Sequence, residues 1–485
     1  MKPSRTPHAP LVLVVVAAAL ASPLAPRAGR SPGPTVFPVA KLREDFALLR
    51  SAVTEAHAGL FVYKSPPAVV RIFDSAVAAL HDTTEIGFYG AVAGVLAQIR
   101  DGHTRSLPSE EWMAWYTDSA RVLPLHVRLA GDRAWVTGST DPRVQSGTEI
   151  LAIDGRKMGE IAADIRRRLP ADGYIETGTL AQLNTQFAFW YYLFESQTDS
   201  FRLDTRGQGS DTITLRLGAV PPSALPPDTA AQSAPLSLSF LADSSIALLR
   251  IRTFAADEIT EAGLDYTRFL DAAFHRVREA RSADLILDLR GNDGGRDTYG
   301  SKLLSHLVRR PFAYYRSLEA RTDRVTFWRH TNVDSTFNTR FSRGLIRTST
   351  GTFQFPRSRH QNLGIQQPRA PFFAGPVWVL IDGGTFSTAS EFCAIARSLG
   401  RATFIGQETG GTYQGNTSGT FVILTLPHTR VRVVVPLVRY SLAVKPPPSP
   451  GRGVLPDHVI EAAGVERDTD VLDRAVRLVR QARSR

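Results

Sequence analysis

The 485-residue sequence predicts an α/β protein, on three observations. Leu285-Ile286-Leu287-Asp288-Leu289 and Val377-Trp378-Val379-Leu380-Ile381 are apolar runs bounded by turn residues, the pattern of strands buried on both faces. Each run ends in a turn rich in glycine: Arg290-Gly291-Asn292-Asp293-Gly294-Gly295 after the first, Asp382-Gly383-Gly384 after the second. A helical pattern follows each turn, and from Ser237 onward strand and helix alternate, which makes an α/β core with sites at its strand ends.

The chain is too long for one ordinary domain. Lys2 and Arg5, the apolar stretch from Leu11 to Leu20 and the small residues Ala19-Leu20-Ala21 read as a secretory signal peptide over residues 1–21. That stretch is short for a membrane span, so export with cleavage, to the periplasm or the exterior, is the expectation. Residues 22–36, rich in Pro, Ala and Arg, read as a flexible leader. Within residues 37–105, apolar residues recur at helical spacing three times (Phe46, Leu49, Val53; Val69, Ile72, Phe73, Ala76; Phe88, Val92, Leu96), which predicts an N-terminal helical domain. Residues 106–220 turn to short strands, with Gly147 to Gly155 forming a strand that runs into a tight turn. Residues 221–236 read as a linker, and residues 237–485 as the α/β core. Residues 310–370 show little periodicity and read as an insertion, a candidate lid. The runs 421–426 and 431–435 predict a hairpin, and Leu472, Ala475, Val476 and Val479 a C-terminal helix.

Composition excludes several classes. The net charge is +11, and six of the 57 basic residues are lysine. The arginines are dispersed without basic-aromatic interleaving, so a solvated basic surface is expected and a nucleic-acid partner is not. Cys393 is the single cysteine, which excludes an intrachain disulfide; inside a helical pattern it reads as a small core residue. No Cys/His set has zinc-ligand spacing and no phosphate-cradling or dinucleotide motif occurs, so no metal and no cofactor is expected.

The chemistry-bearing stretch is Thr385-Phe386-Ser387-Thr388-Ala389-Ser390-Glu391, at the junction of strand and helix. Backbone N–H groups and the positive end of the helix dipole gather there and can hold an oxyanion, as in a nucleophile elbow. The same residues also spell a capping box, with Thr388 as N-cap and Glu391 three residues on. Upstream, Arg100-Asp101-Gly102-His103-Thr104 places a histidine in a polar loop after a helix, a candidate general base or an ordinary loop histidine. The Gly294-Gly295 turn is either a tight turn or a source of oxyanion donors.

Four segments in order resemble one family, the serine peptidases that include the C-terminal processing (tail-specific) proteases, the tricorn protease core and interphotoreceptor retinoid-binding protein. They are Asp101-Gly102-His103-Thr104; Asp288-Leu289-Arg290-Gly291-Asn292-Asp293-Gly294-Gly295; Thr385-Phe386-Ser387 with Gly406-Gln407-Glu408-Thr409-Gly410-Gly411; and Gly453-Val454-Leu455-Pro456-Asp457. The likeness runs from about residue 45 to about residue 475. It implies a crotonase/Clp-like ββα core, a PDZ-like domain over 106–220, and a Ser hydroxyl that attacks a peptide carbonyl. The oxyanion hole would be the backbone N–H groups of Thr388, Gly294 and Gly295. The processing proteases use a lysine that aligns near Thr412, and none stands there; Lys302 and Lys445 are the only lysines of the core region. The tricorn-like branch uses the histidine that matches His103. The resemblance therefore implies Ser387 with His103, and leaves Thr388 and Ser390 as alternative nucleophiles. Two departures matter: Gly102 stands where tricorn has a serine, and Pro450 stands near its assisting glutamate. Glu408 and Asp101 are the candidates for the orienting acid.

The function expected is that of an exported serine peptidase acting on proteins or peptides. The alternative is a non-catalytic protein that binds peptides or small ligands on the same fold.

Overall fold

The computed structural model describes residues 35–483, except 208–210, 227–233, 242–244, 448 and 461–467. The signal-peptide reading and nearly all of the leader lie outside the described residues. The fold is a mixed α/β one. At its centre six strands run in sequence order: β1 (Leu236–Leu241), β2 (Ile246–Ile251), β3 (Asp284–Asp288), β4 (Val377–Ile381), β5 (Thr403–Gly406) and β6 (His458–Val459). The β1–β2 pair is antiparallel, and every later pair is parallel.

All five residues of β3 and all five of β4 are buried, as continuous apolar runs require. Their side chains alternate between two cores. Leu285, Leu287, Val377, Val379 and Ile381 join the main core. Ile286, Trp378 and Leu380 face the other way, where Ala475 and Val479 of the C-terminal helix Asp468–Arg483 cover them. Each fully buried aliphatic side chain contributes about 1.5–3 kcal/mol, so both turns that follow these strands are rigidly anchored.

Three helices, Val39–Ala56, Pro66–Ala79 and Glu85–Ala97, precede the His103 turn. Residues 125–218 form a separate sheet, five strands in sequential antiparallel order with a short sixth at its side. The strand Ser106–Leu107 belongs elsewhere: it pairs with Arg432 and Val433 of the hairpin Phe421–Thr425/Arg432–Pro436. That pairing fastens the His103 turn to the core.

Residues 310–370 differ from the irregular insertion expected. Tyr315–Ala320 is a strand paired along Val438–Leu442, inside a five-stranded sheet that also takes up Ile346–Arg347 and Phe353–Gln354. The two-residue strands are too short to show a period, and the partner of Tyr315–Ala320 lies more than a hundred residues away.

Candidate active site

His103 sits in the turn after the helix Glu85–Ala97. Asp101 builds that turn. Its Oδ1 accepts the His103 and Thr104 N–H groups and the Thr104 hydroxyl, all at 3.0 Å. Its Oδ2 accepts the Thr417 hydroxyl. Behind it, His57 Nδ1 accepts the Gly59 N–H, so its Nε2 donates to Thr104 Oγ1 at 2.5 Å. The His103 ring lies between Phe386, 4.6 Å away, and Phe421, 6.1 Å away. Burial lowers the His103 pKa to about 4, against the opposing charge of Asp101 and with a smaller push from Arg105. The imidazole is therefore neutral at pH 7, the form a general base needs.

Ser387 ends the turn after β4. Asp382 Oδ1 accepts the N–H groups of Gly384, Thr385 and Gly291, tying this turn to the one after β3. The Thr385 hydroxyl donates to Leu289 O, and Phe386 N–H donates to Asn292 O. Asn292 secures the other side: its Nδ2 donates to Ile251 O and its Oδ1 accepts the Gly294 N–H. Two glycine turns are thus clamped together at adjacent strand ends. Ser387 occupies φ +49° and ψ −125°, outside the ordinary range of an L-residue. The helix Thr388–Ser398 begins at the next residue.

Ser387 Oγ lies 3.1 Å from His103 Nε2, across 284 residues of sequence. The two alternative hydroxyls are committed elsewhere. Thr388 Oγ1 donates to Gly295 O at 2.9 Å, and Ser390 Oγ donates to Ser387 O at 2.8 Å. The capping box is not formed. The N-cap is Ser387, and its side chain makes no capping bond. Glu391 instead accepts from Tyr315 Oη and Asn416 Nδ2. The residue pattern of a cap was right, but Glu391 is drawn inward by partners the local sequence does not show. Burial, with the charge of Asp297 second, raises the Glu391 pKa to about 7.

The expected oxyanion donors divide. Gly294 N–H is taken by Asn292 Oδ1 at 2.9 Å, which removes it from the set. Thr388 N–H stands at the first position of its helix, where no intrahelical acceptor exists. Gly295 follows at φ +134° beside Thr388. Gly294 has another role: a Cβ there would lie 2.6 Å from Ser387 Cβ and 3.1 Å from its Oγ, and its φ is +108°. Only glycine lets the two turns meet this closely.

Neither proposed orienting acid bonds to the His103 imidazole. Glu408 is held by Arg452 in a two-point ion pair and by Gly453 N–H. Asp101 Oδ1 takes three donors, the His103 and Thr104 N–H groups and the Thr104 hydroxyl, and its Oδ2 takes the Thr417 hydroxyl. Cys393 is buried, and burial pushes its thiol up, which leaves it unreactive. Thr412, at the position of the processing lysine, donates its hydroxyl to Gly415 O.

Among the described residues, Asp101, His103 and Asp172 are the group whose ligand atoms converge, within 4.8 Å of one another. Asp172 was not singled out from sequence, and no motif marks it.

Residues 245–441 match peptidase family S41. Those residues carry a domain similar to that family, which is that of a serine-type peptidase acting on proteins or peptides. Three solved structures titled as CPAF share the fold. CPAF complexed with lactacystin aligns at 16% identity and a TM-score of 0.62, over 91% of this chain and 98% of that one. Mature CPAF aligns at 15% and 0.58, over 87% and 92%. A CPAF mutant aligns at 15% and 0.61, over 87% and 93%. No curated protein sequence matches the chain.

Proposed function

We propose that this peptidase cleaves its substrate with Ser387 as nucleophile and His103 as general base, and that it acts after export. The observation that carries the reading is the 3.1 Å contact between Ser387 Oγ and a buried, neutral His103 Nε2. As Ser387 attacks the scissile carbonyl, its proton passes to Nε2 and the carbonyl oxygen gains charge. The N–H groups of Thr388 and Gly295 receive that oxygen, and the N-terminus of Thr388–Ser398 adds its dipole. His103 then returns the proton to the leaving amine, and water repeats the cycle on the acyl-enzyme.

Residues 106–220 are the substrate-capturing module in this reading, a PDZ-like domain suited to strand addition by an extended peptide. Residues 37–105 are a helical domain that delivers the base, and residues 237–485 a crotonase/Clp-like core. Export rests on the charged, apolar and small-residue succession of residues 1–21. Among the described residues no helix is long and apolar enough to cross a membrane.

A fluorophosphonate probe tests the chemistry. Wild-type protein is expected to label, while Ser387→Ala and His103→Gln do not. Labelling that survives Ser387→Ala overturns the nucleophile. Unlabelled wild-type protein that still binds peptides supports the binding-protein alternative. Mass determination of the exported protein tests the address: an N-terminus still at Met1 refutes cleavage after Ala21.

A further inference from the structure

We propose that Asp172 is the positioning residue of His103, with Oδ2 accepting the imidazole Nδ1–H directly or across one water. This rests on the reading of Ser387 and His103 as the reacting pair. Two buried side-chain atoms at the cluster lack a protein partner: His103 Nδ1 and Asp172 Oδ2. One is a donor and the other an acceptor when the imidazole carries its proton on Nδ1. Left apart, each is a buried polar atom without a partner, and paired they satisfy one another. Asp101 is the nearer acid in sequence, but both its oxygens already have partners, three donors on Oδ1 and Thr417 on Oδ2, whereas Asp172 Oδ2 has none.

The surroundings hold Asp172 in place for this. Its Oδ1 accepts the Gly102 N–H at 2.6 Å, one residue from His103. A Cβ on Gly102 would come within 3.0 Å of that same oxygen and 2.9 Å of the Phe386 ring. The glycine before the histidine thus makes room for the carboxylate. Gly173 N–H donates to Arg100 O, and Tyr174 N–H donates to Gly451 O, so the loop is pinned on both sides. Two hydrogen bonds through a single water span roughly 4.5 Å, and the ligand atoms of Asp101, His103 and Asp172 lie within 4.8 Å of one another.

The chemistry follows. A carboxylate at Nδ1 keeps the proton there, so the Nε2 lone pair faces Ser387 Oγ. When Nε2 takes the serine proton, Asp172 balances the imidazolium charge and takes no proton itself. Burial first, then the charge of Asp101, pushes the Asp172 carboxyl up to about 7, so it ionises near neutrality.

Asp172→Asn retains the size of the side chain and an oxygen for Gly102. Its fluorophosphonate labelling is expected to show kinact reduced on the order of 10²-fold, with KI within about twofold. A merely structural loss would move KI and the melting temperature instead. Nitrogen-15 histidine NMR of the wild-type protein gives a second reading that needs no variant. His103, assigned by the signals lost in His103→Gln, is expected as the Nδ1–H tautomer. An Nε2–H tautomer, or an Asp172→Asn variant with wild-type kinact, overturns the proposal. If Ser387→Ala and His103→Gln are inactive while Asp172→Asn is unchanged, only the role of Asp172 fails. If Ser387→Ala still labels, the reading of the reacting pair fails first.

Discussion

Gly294 offers the sharpest test of how the site is built. It carries no reacting group in this reading, and its N–H is already bound by Asn292. Replacing it with alanine places a Cβ 2.6 Å from Ser387 Cβ and 3.0 Å from Thr388 N. Carbon contacts settle at about 3.5–4.0 Å, so Ser387 must retreat by roughly 1 Å. The φ of +108° adds strain that an L-residue carries badly. Overpacking and backbone strain cost about 1–3 kcal/mol each, so a total loss of about 2–6 kcal/mol is expected. A 1 Å displacement of a reacting group lowers the rate by about 10²-fold. Fluorophosphonate labelling measures the rate without knowledge of the substrate, and thermal unfolding measures the loss. Gly291→Ala is the control: its φ is +68°, but a Cβ there meets nothing within 4 Å. It should lose stability and label within about threefold of wild type. Gly294→Ala that labels at the wild-type rate refutes the argument that this contact sets the position of Ser387.

Other outcomes follow from the same geometry. Thr388→Val and Ser390→Ala should retain the nucleophile and label within about tenfold of wild type, since each hydroxyl only donates to a carbonyl; loss of labelling as complete as in Ser387→Ala counts against that assignment. Glu391→Leu leaves Tyr315 Oη and Asn416 Nδ2 short of their buried acceptor and should cost about 2–5 kcal/mol, whereas Glu391→Gln should cost less, because burial already favours the neutral acid; equal losses by urea unfolding would contradict this. The lowered pKa of His103 also has a sign in stability. The unfolded imidazole protonates below about 6.5 and the folded one only near 4, so folding is penalised increasingly as pH falls between those values. At pH 4.5 the penalty is about 2.5 kcal/mol. Urea unfolding at pH 7 and 4.5 should therefore show a smaller drop for His103→Gln than for wild type, and an equal drop would refute the neutral, buried histidine.

Much of the core was legible because it is written locally. The apolar runs at 285–289 and 377–381 became β3, β4 and the residue that follows β3, with both faces covered. The hairpin around Pro427 and the helices before His103 were legible for the same reason, since period and turn residues are properties of neighbours in sequence. The segment 310–370 was not, because its longest strand pairs with Val438–Leu442, more than a hundred positions away, and its other strands are two residues long and carry no pattern of their own. The capping box misled for a related reason. Its spelling is local, but the Glu391 side chain answers to Tyr315 and Asn416.

The sequence by itself determined which side chains were available: a serine after a buried strand, a histidine after a helix, glycines in both turns, and no lysine beside the nucleophile. It could not choose among three hydroxyls within four residues, nor name an acid. Tertiary structure bears on both. It brings His103 from another part of the chain to Ser387, while the Thr388 and Ser390 hydroxyls donate to carbonyls. Glu408 is held by Arg452 and Gly453, and the Asp101 carboxylate by Thr104 and Thr417 and the His103 main chain, so neither bonds to the imidazole. Asp172, the acid proposed in their place, lies in a loop whose sequence carries no sign of it. Hydrogen-bonding capacity is finite, and which donors consume it depends on chain crossings that no local pattern encodes.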